Sequence, residues 1–329
     1  MDDSITLGVS ACLMGEPVRY DGRDKGDPRV MHRLSGVFRL IPFCPEAQAG
    51  LGIPRPPMRL VGDPRSPRLV TVATGQDLTE SLITHCTSEC IRCTSMQLRG
   101  FIFKSRSPSC AVESAPIHDR EGAVTAMGSG LWTRAFQQAF PMTVVVEEAD
   151  LADEQGQRRF VERVLVADRW QKWVDGTVTA HHLTEFHARH KFQIMAHDRE
   201  AMKSMGRLAA ASGAAETLSY GRELFAAMAR PDTLERHVDC MMHLFGFLKK
   251  RVSSEQKQEF LHLLEACRLG RRSRWEPWSW LRSRAQQHRI RYLLNQWYLF
   301  PDPRETQCHP VGPNNGTDSD GRHPKSFTW

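Results

Sequence analysis

Three of the nine cysteines in this 329-residue chain each follow a short apolar run typical of a β-strand. Cys12 comes directly after ITLGVSA, Cys44 directly after VFRLIPF, and Cys110 a few residues after GFIF, in the segment KSRSPSC. Because the carboxyl ends of parallel strands share one edge of a sheet, we expect these thiols to meet there although they are distant in sequence. The other interpretation is three unrelated loop cysteines.

Three converging thiolates without a fourth predict a metal centre with one open coordination position. Soft sulfur ligands favour zinc or an iron–sulfur cluster, and an incomplete protein ligand set is typical of a catalytic centre. Glu46, two residues after Cys44, would lie beside such a centre. Its carboxylate would act there as a general base toward water; the alternative is an ordinary solvated loop acid.

A second group of cysteines, Cys86, Cys90 and Cys93, has the C-x3-C-x2-C spacing by which radical S-adenosylmethionine enzymes hold a cluster. In those enzymes the motif lies in an extended loop. Here the three residues recur at helical spacing, on a stripe that Leu78 and Leu82 extend. We therefore expect them to face the sheet as small core residues.

The elements that would position the strand-end residues alternate along the first half of the chain. Helix-like stretches such as 78–98 and 130–140 separate the apolar runs, which favours parallel strands with crossover helices. From about residue 150 the hydrophobic period changes to 3.6 and the β-branched runs end. The predicted strands are 5–11, 37–43, 69–73, 100–103 and 142–146.

The predicted fold is an α/β domain with a parallel sheet, followed by an all-helical domain. We expect the first domain at residues 1–147, the second at 148–303, and a disordered tail at 304–329, which is rich in Pro, Gly, Asn and Asp. Within the second domain, Ser253 and Gln256 have the spacing of a helix capping box.

Composition argues against several classes of protein. The net charge of +6 is a mild bias toward anionic partners and not the footprint of a dedicated DNA-binding protein. No uninterrupted apolar stretch reaches the ~20 residues of a membrane helix, and the acidic start is unlike a secretory signal. An odd number of cysteines without an export signal argues against a disulfide framework. We expect a cytoplasmic protein with reduced thiols.

A basic stretch runs from Arg268 to Arg291 and holds eight arginines against one acid, Glu276. Arginine beside aromatic side chains suits phosphate contact and base stacking on single-stranded nucleic acid. The alternative is a solvated basic face that its aromatic residues anchor to the core. The interleaved aromatic residues are Trp275, Trp278 and Trp280.

Four ordered motifs occupy the first half of the chain: 8–22 (GVSACLMGEPVRYDG), 43–57 (FCPEAQAGLGIPRPP), 77–82 (DLTESL) and 101–110 (FIFKSRSPSC). Together they resemble the bacterial thiouracil desulfidase family. The helical half is similar to a second, uncharacterised bacterial domain that is often fused behind it, through 191–210, 237–265 and 294–303. The two resemblances cover residues 4 to about 303.

The resemblance implies a Rossmann-like domain that holds a 4Fe-4S cluster on Cys12, Cys44 and Cys110, with the fourth iron free. It implies a non-redox desulfidase that converts a thiolated pyrimidine (thiouracil, thiouridine or 4-thio-UMP) into the oxygenated base and sulfide. Glu46 matches the acid of the family's Cys-Pro-Glu motif, and Ser107 matches the first serine of Ser-Pro-Ser-Cys. Both are carried over as catalytic residues. The alternative function is a module that binds or desulfurates thiolated tRNA through the basic stretch.

Arg19, Tyr20 and Asp21 match the family's Arg-Tyr-Asp/Asn-Gly stretch and are expected to bind substrate, the arginine through a phosphate and the tyrosine by stacking on a base. A turn with a salt bridge explains them almost as well, and Arg55 is open to the same two interpretations. The chain departs from the family at Ala111, where glycine is usual; alanine would be strained if that position needs a positive φ. The sequence leaves the oligomeric state open.

Overall fold

The computed structural model describes residues 4–176, 180–211 and 214–308 of the chain. Besides short 3-10 and π-helical turns, the described part of the first half contains eight strands and three α-helices. In chain order they are β1 (Thr6–Ser10), β2 (Arg39–Phe43), α1 (Pro45–Gln48), β3 (Met58–Val61), β4 (Arg68–Thr71), α2 (Thr79–Thr94), β5 (Gly100–Phe103), β6 (Ala115–His118), β7 (Val124–Gly128), α3 (Leu131–Ala139) and β8 (Val144–Glu147).

Four of these strands form an entirely parallel sheet in the order β2-β1-β5-β8. In the register, Leu7 of β1 pairs with Leu40 of β2 and with Gly100 of β5. The three strands that precede Cys12, Cys44 and Cys110 are therefore direct neighbours. This arrangement confirms the predicted parallel sheet.

Helices α2 and α3 cover one face of the parallel sheet. The packing includes Phe101 from β5, Trp132 and Phe136 from α3, and the cysteines of α2. Those cysteines, Cys86, Cys90 and Cys93, are buried among apolar side chains. Burial raises the pKa of Cys86 to about 12, so its thiol stays protonated. The prediction that these residues belong to the core is confirmed.

A second sheet, in the order β4-β3-β6-β7, is mixed. β3 pairs antiparallel with β4 and parallel with β6, and β6 pairs antiparallel with β7. The run 69–73 was predicted as a parallel strand, and this was wrong, because its partner is the antiparallel β3. Strands β3, β6 and β7 were not predicted: they are short, and proline, arginine, histidine and glycine interrupt their apolar residues.

The second half is all-helical, as predicted. Its helices are α4 (Glu154–Asp175), α5 (Ala180–His197), α6 (Arg199–Ala211), α7 (Ala214–Ala229), α8 (Leu234–Leu248), α9 (Ser254–Arg268), α10 (Trp275–Gln287), α11 (Arg291–Leu294) and α12 (Pro303–Cys308). The capping box of Ser253 and Gln256 is present at the start of α9. Helix α10 lies within the basic stretch, where no helix was predicted, and the short α11 begins at the last residue of that stretch.

Helix α12 corrects the predicted start of the tail, because the chain is helical from Pro303 to Cys308. Glu305 of this helix pairs with Arg169 of α4 at 3.2 Å, which ties it to the helical half. Residues 309–329 of the predicted tail lie outside the described residues.

Helix α4 packs against both halves of the molecule. Its residues Phe160, Val161 and Val164 cover the second face of the parallel sheet, while Val166 and Trp170 pack in a cluster with α5 and α7. The predicted domain boundary at residue 148 stays a prediction.

Within the described parts of the chain, no helix has the length and apolar character needed to cross a membrane.

Candidate active site

Cys12, Cys44 and Cys110 line a single cavity of about 480 Å³ at the carboxyl edge of the parallel sheet. Cys12 lies in the 3-10 turn after β1, Cys44 caps α1 directly after β2, and Cys110 lies in the loop after β5. The three segments meet because their strands are adjacent. Over residues 4–176, 180–211 and 214–308, no three His, Cys, Asp or Glu side chains lie close enough together to hold one metal ion.

The three thiols influence one another electrostatically. Burial, together with the neighbouring Cys44, raises the pKa of Cys12 to about 11. Burial is also the main reason that the pKa of Cys110 lies well above its ordinary value, with Glu46, Cys12 and Cys44 adding to the effect. Negative charge on these sulfurs is therefore unfavourable unless a positive group enters between them.

Glu46 is buried at the same cavity and is held by Arg55. The Nε and one terminal nitrogen of Arg55 donate to Oε2 of Glu46 at 2.8 and 2.5 Å. The other terminal nitrogen donates to the carbonyls of Val18 at 2.9 Å and Gly52 at 3.1 Å. All three guanidinium nitrogens thus help to position this carboxylate and the loop around it. Arg55 acts on the site through Glu46.

The Cys110 loop is fixed by its own serine and by helix α3. The hydroxyl oxygen of Ser107 accepts the backbone N–H of Ser109 at 3.2 Å and of Cys110 at 3.0 Å, and this side chain also lines the cavity. Thr133 of α3 donates to the carbonyl of Cys110 at 2.6 Å. A Cβ at Gly130 would lie 2.3 Å from the carbonyl carbon of Ser109, so only glycine allows this close approach.

Two acids at the end of β8, which sequence reasoning missed, anchor both ends of the same loop. Oε1 of Glu147 accepts the backbone N–H groups of Val112, Glu113 and Ser114 at 2.7, 3.1 and 3.2 Å. Glu148 accepts the backbone N–H of Ser105 at 2.6 Å and the ammonium of Lys104 at 2.5 Å. The signal available in the sequence was a pair of acids directly after an apolar strand.

The predicted substrate residues fall into two groups. Arg19 and Tyr20 line the cavity, and Tyr20 is exposed there. Asp21 is not among the lining residues: its carboxylate accepts the backbone N–H of Arg23 at 3.2 Å and lies 3.9 Å from the Nε of Arg19. Asp21 therefore shapes the turn.

Ala111, which replaces the family's usual glycine, is fully buried. Among the described residues, the non-glycine positions with positive φ are Gln97, Arg106 and Arg289. The strain considered for Ala111 is therefore not present in this fold.

In the basic stretch, two of the tryptophans are buried, whereas several of the arginines are exposed. Trp278 and Trp280 are buried, and their indole N–H groups donate to the carbonyl of Tyr298 and to Glu259, each at 2.9 Å. These two rings anchor α10 to the helical core, as the alternative interpretation expected. Exposed arginines remain along the stretch: Arg268, Arg271, Arg272, Arg289 and Arg291.

Comparison with known proteins assigns each half of the chain. Residues 7–148 match the family model of 2-thiouracil desulfurase, and residues 191–303 match DUF1722, described as a protein of unknown function. A solved structure, the [4Fe-4S]-dependent thiouracil desulfidase TudS (DUF523Vcz), is 33% identical over 45% of this chain and 93% of its own, with a TM-score of 0.38. No curated protein gives a match. By family model, the chain therefore contains a 2-thiouracil desulfurase domain at residues 7–148 and a DUF1722 domain at residues 191–303.

Proposed function

We propose that this protein removes sulfur from a thiolated pyrimidine such as thiouracil, thiouridine or 4-thio-UMP, releasing the oxygenated base and sulfide without net redox change. Its cofactor in this proposal is a 4Fe-4S cluster held by Cys12, Cys44 and Cys110, with one iron that has no protein ligand. The observation that carries the proposal is that three thiols from adjacent parallel strands line one cavity together with the buried Glu46.

The residues at the cavity fit such a cluster chemically. Thiolate sulfur is the ligand that iron–sulfur clusters prefer, and binding iron would remove the penalty that burial and mutual repulsion place on the three anions. The positive charges of Lys104 and Arg19, which line the same cavity, partly offset the raised pKa of Cys12. When bound, the cluster supplies a Lewis-acidic iron that selects a soft sulfur donor over oxygen.

The chain's own residues would handle water and orient the ring. Both hydrogen bonds from Arg55 go to Oε2 of Glu46, and among the described residues none donates to Oε1. Oε1 is then the atom that accepts a proton from the attacking water, a role worth ~10²- to 10⁴-fold in rate. The hydroxyl oxygen of Ser107 already accepts two backbone bonds, so its O–H remains to donate to the substrate. Tyr20 and Arg19 would contact the base and a phosphate.

Anaerobic purification tests this proposal most directly. We expect iron and acid-labile sulfide in the wild-type protein, and formation of uracil or UMP together with sulfide from the thiolated compounds. Cys44→Ala should lose the iron and the activity, whereas the matched control Cys93→Ala, in the α2 core, should retain both in its folded fraction. A Cys44→Ala protein that keeps its full iron content would refute the proposed ligand set.

A thiolated tRNA nucleotide is the second candidate substrate, favoured by the exposed arginines of the basic stretch. Arginine contacts to phosphates make binding fall steeply with salt. Tight, salt-dependent tRNA binding with sulfide release would identify this substrate. The variant Arg271→Ala/Arg272→Ala distinguishes the two substrates. If tRNA is bound through the basic stretch, the variant should turn over thiolated tRNA more slowly than the wild type and free 4-thio-UMP at the same rate.

A further inference from the structure

A second cavity, of about 310 Å³, lies in the helical half, and none of its lining residues lines the cysteine cavity. Its walls come from α4, α5, α8, the start of α10 and the segment 297–305. This volume is at the lower end of the range typical of small-molecule sites, which begins at about 300 Å³. The chemistry of its lining defines what the cavity can accept.

The charged groups around this cavity already compensate one another. Oδ2 of the buried Asp232 accepts from Arg158 at 2.5 Å and from Arg274 at 3.1 Å. Arg158 also lies 3.7 Å from Oε2 of Glu162. A strongly charged ligand would have to break one of these buried pairs, so an uncharged ligand fits better.

A hydrogen-bond relay leaves the hydroxyl oxygen of Tyr298 as an acceptor. Nε2 of His237 lies 2.9 Å from the Asp232 carboxylate, which can only accept, so this nitrogen carries the proton. Nδ1 of His237 must then accept from the Tyr298 hydroxyl at 2.9 Å. The hydroxyl proton of Tyr298 is thus used in the hydrogen bond to His237. The lone pairs of the same oxygen can accept a hydrogen bond from a ligand N–H.

Gln193 offers a second acceptor without a partner. Its side chain is 1% exposed, and Nε2 donates to Glu162 at 3.3 Å. That contact fixes the orientation of the amide, because the reverse orientation would place two oxygens against each other. Among the described residues, no group donates to Oε1 of Gln193. A buried acceptor left unpaired is costly, and a ligand N–H would satisfy it.

The apolar walls are flat. Trp275 and Trp278 meet at 89° with ring centroids 5.7 Å apart, and Met241 contributes a thioether to the lining. An indole face binds a planar ring by stacking, and a thioether adapts to its edge. The cavity therefore combines flat apolar walls with hydrogen-bond acceptors that need N–H donors.

We propose that this cavity binds a free, uncharged heteroaromatic molecule with ring N–H groups, of the class of a nucleobase or nucleoside. The ring would lie against the indoles, and its N–H edge would donate to Gln193 and Tyr298. The site is independent of the cysteine cavity, so it is a binding function of the helical half beyond the proposed desulfidase activity.

Isothermal titration of the full-length protein tests this inference with uracil, uridine, adenine, adenosine and UMP as probes. The Cys44→Ala variant is titrated beside the wild type, so that binding to the proposed cluster does not contribute; any binding that remains at Arg19 and Tyr20 of the cysteine cavity is recognised because Gln193→Leu leaves it unchanged. We expect one site per chain for at least one neutral probe, with Kd below about 1 mM. Gln193→Leu should weaken that binding ~10-fold or more, whereas Gln258→Leu, the same change at an exposed position of α9, should not alter it.

Three results would overturn the inference. One is that no neutral probe binds at millimolar concentration. Another is that UMP binds far more tightly than uridine, which would show that the cavity recognises phosphate. The third is unchanged affinity in a Gln193→Leu protein with wild-type circular dichroism. If that variant does not fold, Trp275→Ala, at a half-exposed wall residue, replaces it and must weaken binding by a similar factor.

Discussion

Arg55 places two nitrogens on the same carboxylate oxygen of Glu46, at 2.8 and 2.5 Å, in a pair that is almost fully buried. Oε2 of Glu46 therefore accepts both hydrogen bonds from Arg55, and Oε1 is the oxygen that can accept a proton in the proposed reaction. Arg55 was ambiguous in the sequence, and the structure shows it as a residue that positions the proposed general base.

Removing Arg55 should destabilise the fold, because Glu46 would be left as a buried, unpaired charge. We expect Arg55→Met to lower the free energy of unfolding by about 3–5 kcal/mol. The double variant Arg55→Met/Glu46→Gln, which removes both charges, should recover most of this loss. Urea denaturation measures all three proteins, and a double variant as unstable as Arg55→Met would contradict the argument.

Glu46 itself should be needed for turnover and not for cluster binding. Glu46→Gln keeps the size of the side chain and removes its basicity, so we expect the rate to fall ~10²- to 10⁴-fold. Iron content should stay at the wild-type level. Single-turnover release of sulfide from 4-thio-UMP measures the effect, and an unchanged rate would exclude Glu46 as the base.

Glu147 should support the cluster through the Cys110 loop. Glu147→Ala removes an acceptor of three backbone N–H groups, and we expect a loss on the order of 3 kcal/mol in stability together with a lower iron content. Glu121→Ala, at an exposed loop position, is the matched control. Equal iron content in the two variants would show that the loop holds Cys110 without this anchor.

Glycine at position 130 should be required for the contact between α3 and the Cys110 loop. We expect Gly130→Ala to cost about 1–3 kcal/mol, because the new methyl group meets the backbone of Ser109. Gly246→Ala, in α8 with open space around the new methyl group, should instead stabilise the protein by up to about 1 kcal/mol. Thermal unfolding distinguishes the two, and shifts of the same sign would refute the steric argument.

Acid should weaken the helical half through His187. Burial, with a smaller effect of Lys191, lowers the pKa of His187 to about 4, whereas the unfolded chain titrates near 6.5. The stability that depends on its neutral ring is present above about pH 6.5 and is lost as pH falls toward 4. His190 and His237 also have lowered pKa values and lose stability over the same range, so between pH 7 and pH 5 we expect the wild type to lose about 1–2 kcal/mol more than His187→Gln does. An identical pH dependence in the variant would contradict this.

The sequence predicted the parts of the site that depend on local pattern. Strand ends followed by Cys12 and Cys44 are visible because a β-branched run stops at a polar turn, and parallel pairing then brings the ends together. The contacts of Glu147 were not predictable in this way, because its partners lie more than 30 residues earlier in the chain. Helix α10 was not predicted, because Pro277 lies in its first turn and its mixture of charged and aromatic residues hides the 3.6 period.

The adjacency of β2, β1 and β5 also has a consequence for biosynthesis. No short segment of the chain carries the three thiols together, and the anchor of the last one, Glu147, is translated well after Cys110. The ribosome must therefore release nearly half of the polypeptide before the three cysteines and their anchor Glu147 are all available to hold the proposed cluster. Insertion of the proposed cluster would therefore be a late event in the maturation of this protein.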